Sequence, residues 1–86
     1  MEARVANLFG LYRGTVTLAL DPLVLGRVQV ATPVLGLQPS TWAMPCVPYA
    51  SGGAAIDVPP VGTEVWIAFE GSDPDMPVWM GVLPRR

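Results

Sequence analysis

Proline and glycine interrupt this chain so often that no ordinary helix fits between them. Ten prolines and nine glycines fall at short intervals along 86 residues, and no helical periodicity survives in the gaps. Each proline fixes its own φ and withholds a backbone donor. What fits is a set of short strands joined by turns, an all-β barrel or sandwich. The length allows one small domain.

Alternation between the breakers marks five strands. The first covers residues 11–20, with Val16, Leu18 and Leu20 sharing one face. Asp21-Pro22 opens a turn in which the aspartate can bond the turn backbone, and Gly26 closes it. The second strand, 27–32, points Val28 and Val30 one way and Arg27 and Gln29 the other, and Pro33 ends it. The third, 42–47, contains Pro45 and so belongs at an edge or a bulge. Disorder, or a single helical turn, is expected in the loop 48–57 around Gly52-Gly53. The rigid entry Val58-Pro59-Pro60-Val61-Gly62 leads into the clearest strand, 63–70. There Val65, Ile67 and Phe69 share one face, and Glu64, Trp66, Ala68 and Glu70 the other. Turn formers at 71–77 precede the last strand, 78–83. The pattern predicts a single domain over 1–86: an N-terminal segment, 1–10, then a five-stranded Greek-key barrel of the OB type over about 11–84, with little or no helix.

The last two strands predict a hairpin with Phe69 opposite Val78, Ile67 opposite Met80 and Val65 opposite Val82. This register turns Trp66, Ala68, Trp79, Gly81 and Leu83 outward, each indole beside a small residue that leaves it room. Such a face exposes a few hundred Å² of apolar surface, close to the limit a monomer tolerates, and is expected to be a subunit interface. The competing expectation is that Leu8-Phe9 folds back to cover it.

Composition narrows the function. There are seven acidic residues, five arginines, no lysine and no histidine, for a net charge of -2. Scattered arginines do not make the basic stripe that displaces counterions from phosphate, so nucleic acid is not an expected ligand. Sparse charge in a chain that is 51% hydrophobic suggests surface covered by other protein. Without histidine there is no Ser-His-Asp triad and no His-based metal site, and the glycines form no phosphate cradle. Glu70, Asp73 and Asp75 read as turn chemistry rather than as a carboxylate pair or calcium loop. Cys46 excludes an internal disulfide and is expected to be buried as a small hydrophobe. No cofactor, metal or catalytic residue is expected. No apolar run reaches the length of a membrane helix, and residues 1–10 lack the layout of a signal peptide.

Several segments follow one another in a distinctive order: Gly14-Thr15-Val16, the run 21–30 with DP-x-x-x-GRV, 42–48, 58–70, and 69–81 with F-E-x-x-D-P-D-x-P-V-x-x-G. Together they resemble the OB-fold domain of phage baseplate assembly protein V, shared with type VI secretion VgrG proteins and the central spike of contractile-tailed phages. The resemblance spans about Gly14 to Leu83. It implies a non-enzymatic barrel, trimeric on the tail axis, that links a tail-hub ring to a membrane-piercing spike. It also implies assembly in the bacterial cytoplasm into a virion or injection particle. With the sequence ending at Arg86, no needle or cell-wall hydrolase is expected in this chain. The spike or tip is then a separate protein, and this chain itself inserts into no membrane. The alternative from another class is an OB-fold nucleic-acid-binding module.

Overall fold

Five strands form in the computed structural model, which describes residues 8–48 and 56–84. They are β1 (Tyr12–Leu18), β2 (Gln29–Ala31), β3 (Met44–Pro45), β4 (Glu64–Phe69) and β5 (Pro77–Val82). Among the described residues the only helical pieces are single 3-10 turns at Pro33–Leu35 and Glu70–Ser72. The expected loop tip at Gly52-Gly53 lies outside the described residues.

The strands lie in the order β2-β1-β4-β5-β3, antiparallel except for β3 beside β5. The sheet curls until its two ends meet. An antiparallel bridge joins Val28 to Ala43, with the Val28 N–H donating to the Ala43 carbonyl at 3.2 Å and the Ala43 N–H returning the bond at 2.6 Å. This connectivity is the OB barrel. Pro45 sits at the end of the sheet order, where its missing N–H costs least.

The core is the inner face of this curl. Val16, Val28, Val30, Ala43, Val65, Ile67, Phe69 and Trp79 bury together with Leu8 from the N-terminal segment. Each large aliphatic or aromatic side chain taken from water here contributes about 1.5–3 kcal/mol. Val65, Ile67 and Phe69 face inward as their alternation requires, with Tyr12 edge-on to Phe69 at 5.8 Å. Gly14 lies opposite Val65. A side chain there would crowd the Cβ of Val30 at 3.3 Å, so the close approach of β1 to the core favours glycine. Thr32 is fully buried, and its hydroxyl donates to the Arg13 carbonyl at 2.7 Å, tying the end of β2 back to β1.

Three expectations are corrected. Leu18 and Leu20 do not share the inner face with Val16. The pairing of β1 with β2 slips between Val16 and Leu18, and this bulge turns the strand end outward. Cys46 is exposed rather than buried, because the chain at the barrel edge keeps only Ala43 of that segment in the core. The hairpin register holds at Val65 opposite Val82, as expected, but from Trp66 to Phe69 it is one residue tighter than expected. Phe69 pairs with Pro77, Ala68 with Val78, Ile67 with Trp79 and Trp66 with Met80. The Glu70 N–H donates to the Met76 carbonyl at 3.0 Å and closes the loop one step early.

Candidate interaction surfaces

A one-residue change of register carries every side chain of a strand to the other face. Trp79 therefore points into the core at 5% exposure, not outward beside Trp66. Its indole N–H donates to the Gly26 carbonyl at 3.0 Å, so the buried polar atom is satisfied. Leu83 is also buried, at 8%. Between them, Gly81 adopts φ +72° at a bulge, where two residues of β5 oppose one of β4. Of the five residues expected on one outer face, the structure keeps Trp66 and Ala68 there, exposes Gly81 at the bulge, and takes Trp79 and Leu83 inside. Sequence alternation could not assign β5, because Val78, Trp79, Met80, Val82 and Leu83 are all apolar. The bulge glycine and the proline at the strand start were the usable signals.

The outer flank of β4 and β5 is thus Trp66, Ala68, Val78 and Met80, each half-buried, with Val82 exposed. Arg13 of β1 pairs with Trp66, and its guanidinium lies 5.2 Å from the ring centre. Glu64 approaches Arg13 at 3.7 Å across a largely solvated gap. Phe9 is 72% exposed while Leu8 enters the core, so the two do not act together as a cover.

At one pole of the barrel the β1–β2 loop is fastened by a single carboxylate. The Asp21 side chain accepts the backbone N–H groups of Leu23, Leu25 and Arg27 at 2.9, 3.0 and 3.3 Å. It also takes a two-pronged contact from the Arg27 guanidinium at 2.9 and 2.8 Å. The Arg27 hydrogen bonds, helped by those backbone donors, outweigh desolvation and hold the carboxyl far below its usual range; the same pairing raises Arg27. Arg27 also lies 5.2 Å from the centre of the Trp42 ring. This is the physical content of DP-x-x-x-GRV: the aspartate holds the loop, and the glycine at φ +80° offers its carbonyl to Trp79. A side chain at Gly26 would also press on Ile56 at 3.0 Å.

The acidic loop behaves as turn chemistry. Asp73 accepts the Asp75 N–H on its carboxylate at 2.9 Å, and the Met76 N–H donates to the Asp73 carbonyl. Among the described residues no three His, Cys, Asp or Glu side chains converge.

A closed OB barrel that leaves a strand flank and a loop pole apolar has the build of an assembly module. Residues 12–83 match the type VI secretion system/phage-baseplate injector OB domain, and the chain belongs to that family. Its place is therefore that of a structural baseplate-type domain. No curated protein sequence matches the chain.

Proposed function

We propose that this chain is a non-enzymatic axial module of a contractile phage-tail-like baseplate, a homotrimer that couples the tail-hub ring to the spike. The family match over residues 12–83 carries this reading. The flank of Trp66, Ala68, Val78 and Met80 supports it, because closed cyclic symmetry reuses one such patch in every subunit. The work is mechanical: the barrel passes axial force between ring and spike and fixes their rotational register. Proline-rich loops suit this role by limiting the freedom of the unfolded chain. The chain assembles in the bacterial cytoplasm and ends in the baseplate of a virion or injection particle.

Light scattering of the isolated chain at tens of micromolar tests the trimer. The expected mass is three times the 9.1 kDa chain, and a monomer removes the trimer of the free chain. Micromolar binding to single-stranded DNA that weakens with salt replaces the structural reading with a nucleic-acid-binding one.

A further inference from the structure

The run 39–46, which carries β3 and closes the barrel between β2 and β5, is held more lightly than the rest of the sheet. On the β2 side, Val28 and Ala43 exchange their N–H groups, and the Ser40 N–H donates to the Val30 carbonyl at 2.8 Å. The Val30 N–H is met by a side chain, the Ser40 hydroxyl, at 3.1 Å. Pro39 and Pro45 withhold a backbone donor near each end of the run. On the β5 side the pairing is parallel and short: Met44 with Val78, Pro45 with Trp79, then the Cys46 N–H on the Trp79 carbonyl at 2.9 Å. Parallel pairing is the weaker kind per residue. Burial adds little, because only Ser40 and Ala43 of this run are buried and alanine has the smallest side chain of the core. By contrast, β1, β4 and β5 are joined by longer antiparallel ladders and carry Val16, Val65, Ile67 and Phe69.

We propose that residues 39–46 form a detachable strand, latched across the seam by Trp42 over Arg27, which leaves and rejoins the barrel as a unit while β1, β2, β4 and β5 stay folded. The latch is anchored on the fixed side. Asp21 grips the Arg27 guanidinium at 2.9 and 2.8 Å, and the Trp42 ring centre lies 5.2 Å from that cation. Arg27 keeps its place when the strand leaves, because its ion-pair partner sits in the same loop. Reclosing therefore returns Trp42 to a guanidinium already in position. Trp79 takes no part in the opening, since its N–H is bonded to Gly26 on the fixed side. Thr41 adds only an exposed bond to the Asp75 carbonyl at 3.1 Å. The open state bares the seam edge of β2 and the Trp79 carbonyl together, groups that the closed barrel keeps paired.

Hydrogen exchange of the full chain under native conditions, followed amide by amide by NMR, tests this. The amides of Val28, Ser40 and Ala43, with Cys46 on the β5 side, report the seam, and the Val16 amide, bonded to the Thr63 carbonyl, reports the rest of the barrel. Relative to their unprotected rates, the seam amides are expected to exchange about a hundredfold faster than Val16. Ile67→Val weakens the open and closed forms alike, so it is expected to speed Val16 about fivefold and leave the seam amides unchanged. Trp42→Leu removes the ring from Arg27 and is expected to speed the seam amides about tenfold. Equal protection of the seam and Val16 in the wild type overturns the proposal. So does an Ile67→Val variant in which the seam amides follow Val16, because the strand then opens only with the whole domain. Seam amides unmoved by Trp42→Leu overturn the latch.

Discussion

Trp66 and Trp79 lie on neighbouring strands and face opposite ways. Trp79 is enclosed by the barrel, with its N–H committed to the Gly26 carbonyl. Trp66 lies on the outside under Arg13, half-buried, with the Glu64 charge nearby. The same side chain thus serves cohesion in one strand and presentation in the next. What separates the two roles is one residue of hairpin register, set by a loop that closes at Met76.

Truncation breaks this comparison most sharply at Trp79. Trp79→Ala empties a ring from the core and orphans the Gly26 carbonyl, so unfolding in urea is expected to need about 3–5 kcal/mol less. Trp66→Ala should cost the fold well under half of that. If both substitutions cost the fold equally, the inside–outside distinction fails.

The next effect tests what holds the acceptor of Trp79 in place. Asp21→Asn keeps a hydrogen-bonding side chain but removes the charge paired with Arg27, so it is expected to destabilise the domain at neutral pH. The pH dependence has a definite sign. The folded state holds this carboxyl below its ordinary value of 3.8, through Arg27 first. Its stabilisation is therefore complete above that value and is lost as pH falls below it toward the depressed folded value. Melting curves of wild type and Asp21→Asn should diverge at neutral pH and converge in acid. A constant gap at every pH would assign the loop's stability to something other than the charge.

A smaller change, seen only in assembly, belongs to Trp66. If the flank is the subunit contact, Trp66→Ala should weaken self-association by about 2 kcal/mol or more, as truncation of a central interface aromatic does. Light scattering across a dilution series reads this directly. An unchanged midpoint would move the contact elsewhere on the barrel.

These contrasts also mark where the sequence was readable. Strand β4 was legible because Val65, Ile67 and Phe69 recur at every second position, alternating with Glu64, Trp66, Ala68 and Glu70, and burial follows that alternation. Val28 and Val30 were legible for the same reason. The aspartate of the Asp21-Pro22 turn was read as a turn former, and it is one, but its second partner, Arg27, is six residues away. Only three-dimensional closure of the loop brings that pair together. β5 was not legible, since an all-apolar strand gives no alternation and its bulge at Gly81 breaks the count. β1 failed at Leu18 and Leu20 for a related reason: periodicity assumes an unbroken ladder, and a bulge is a local break that leaves hydrophobicity unchanged. The exposure of Cys46 follows from its edge position, which depends on how the barrel closes.

The smallest expected effect concerns the pair above Trp66. Arg13 and Glu64 are each roughly half exposed and 3.7 Å apart, so water screens most of their attraction. Glu64→Gln should change stability by less than ~0.5 kcal/mol, and by less still at high salt. The contact of Arg13 with the Trp66 ring remains in that variant, because it depends on the ring face rather than on the carboxylate. Association is the more telling readout. A subunit seated on Trp66 would exclude water from the Arg13–Glu64 pair, and a desolvated pair with one partner removed loses far more than an exposed one. Glu64→Gln is therefore expected to be nearly silent in the monomer's urea titration and visible in the dilution series. Silence in both would place the subunit contact away from the Arg13 side of the flank, toward Val78 and Ala68.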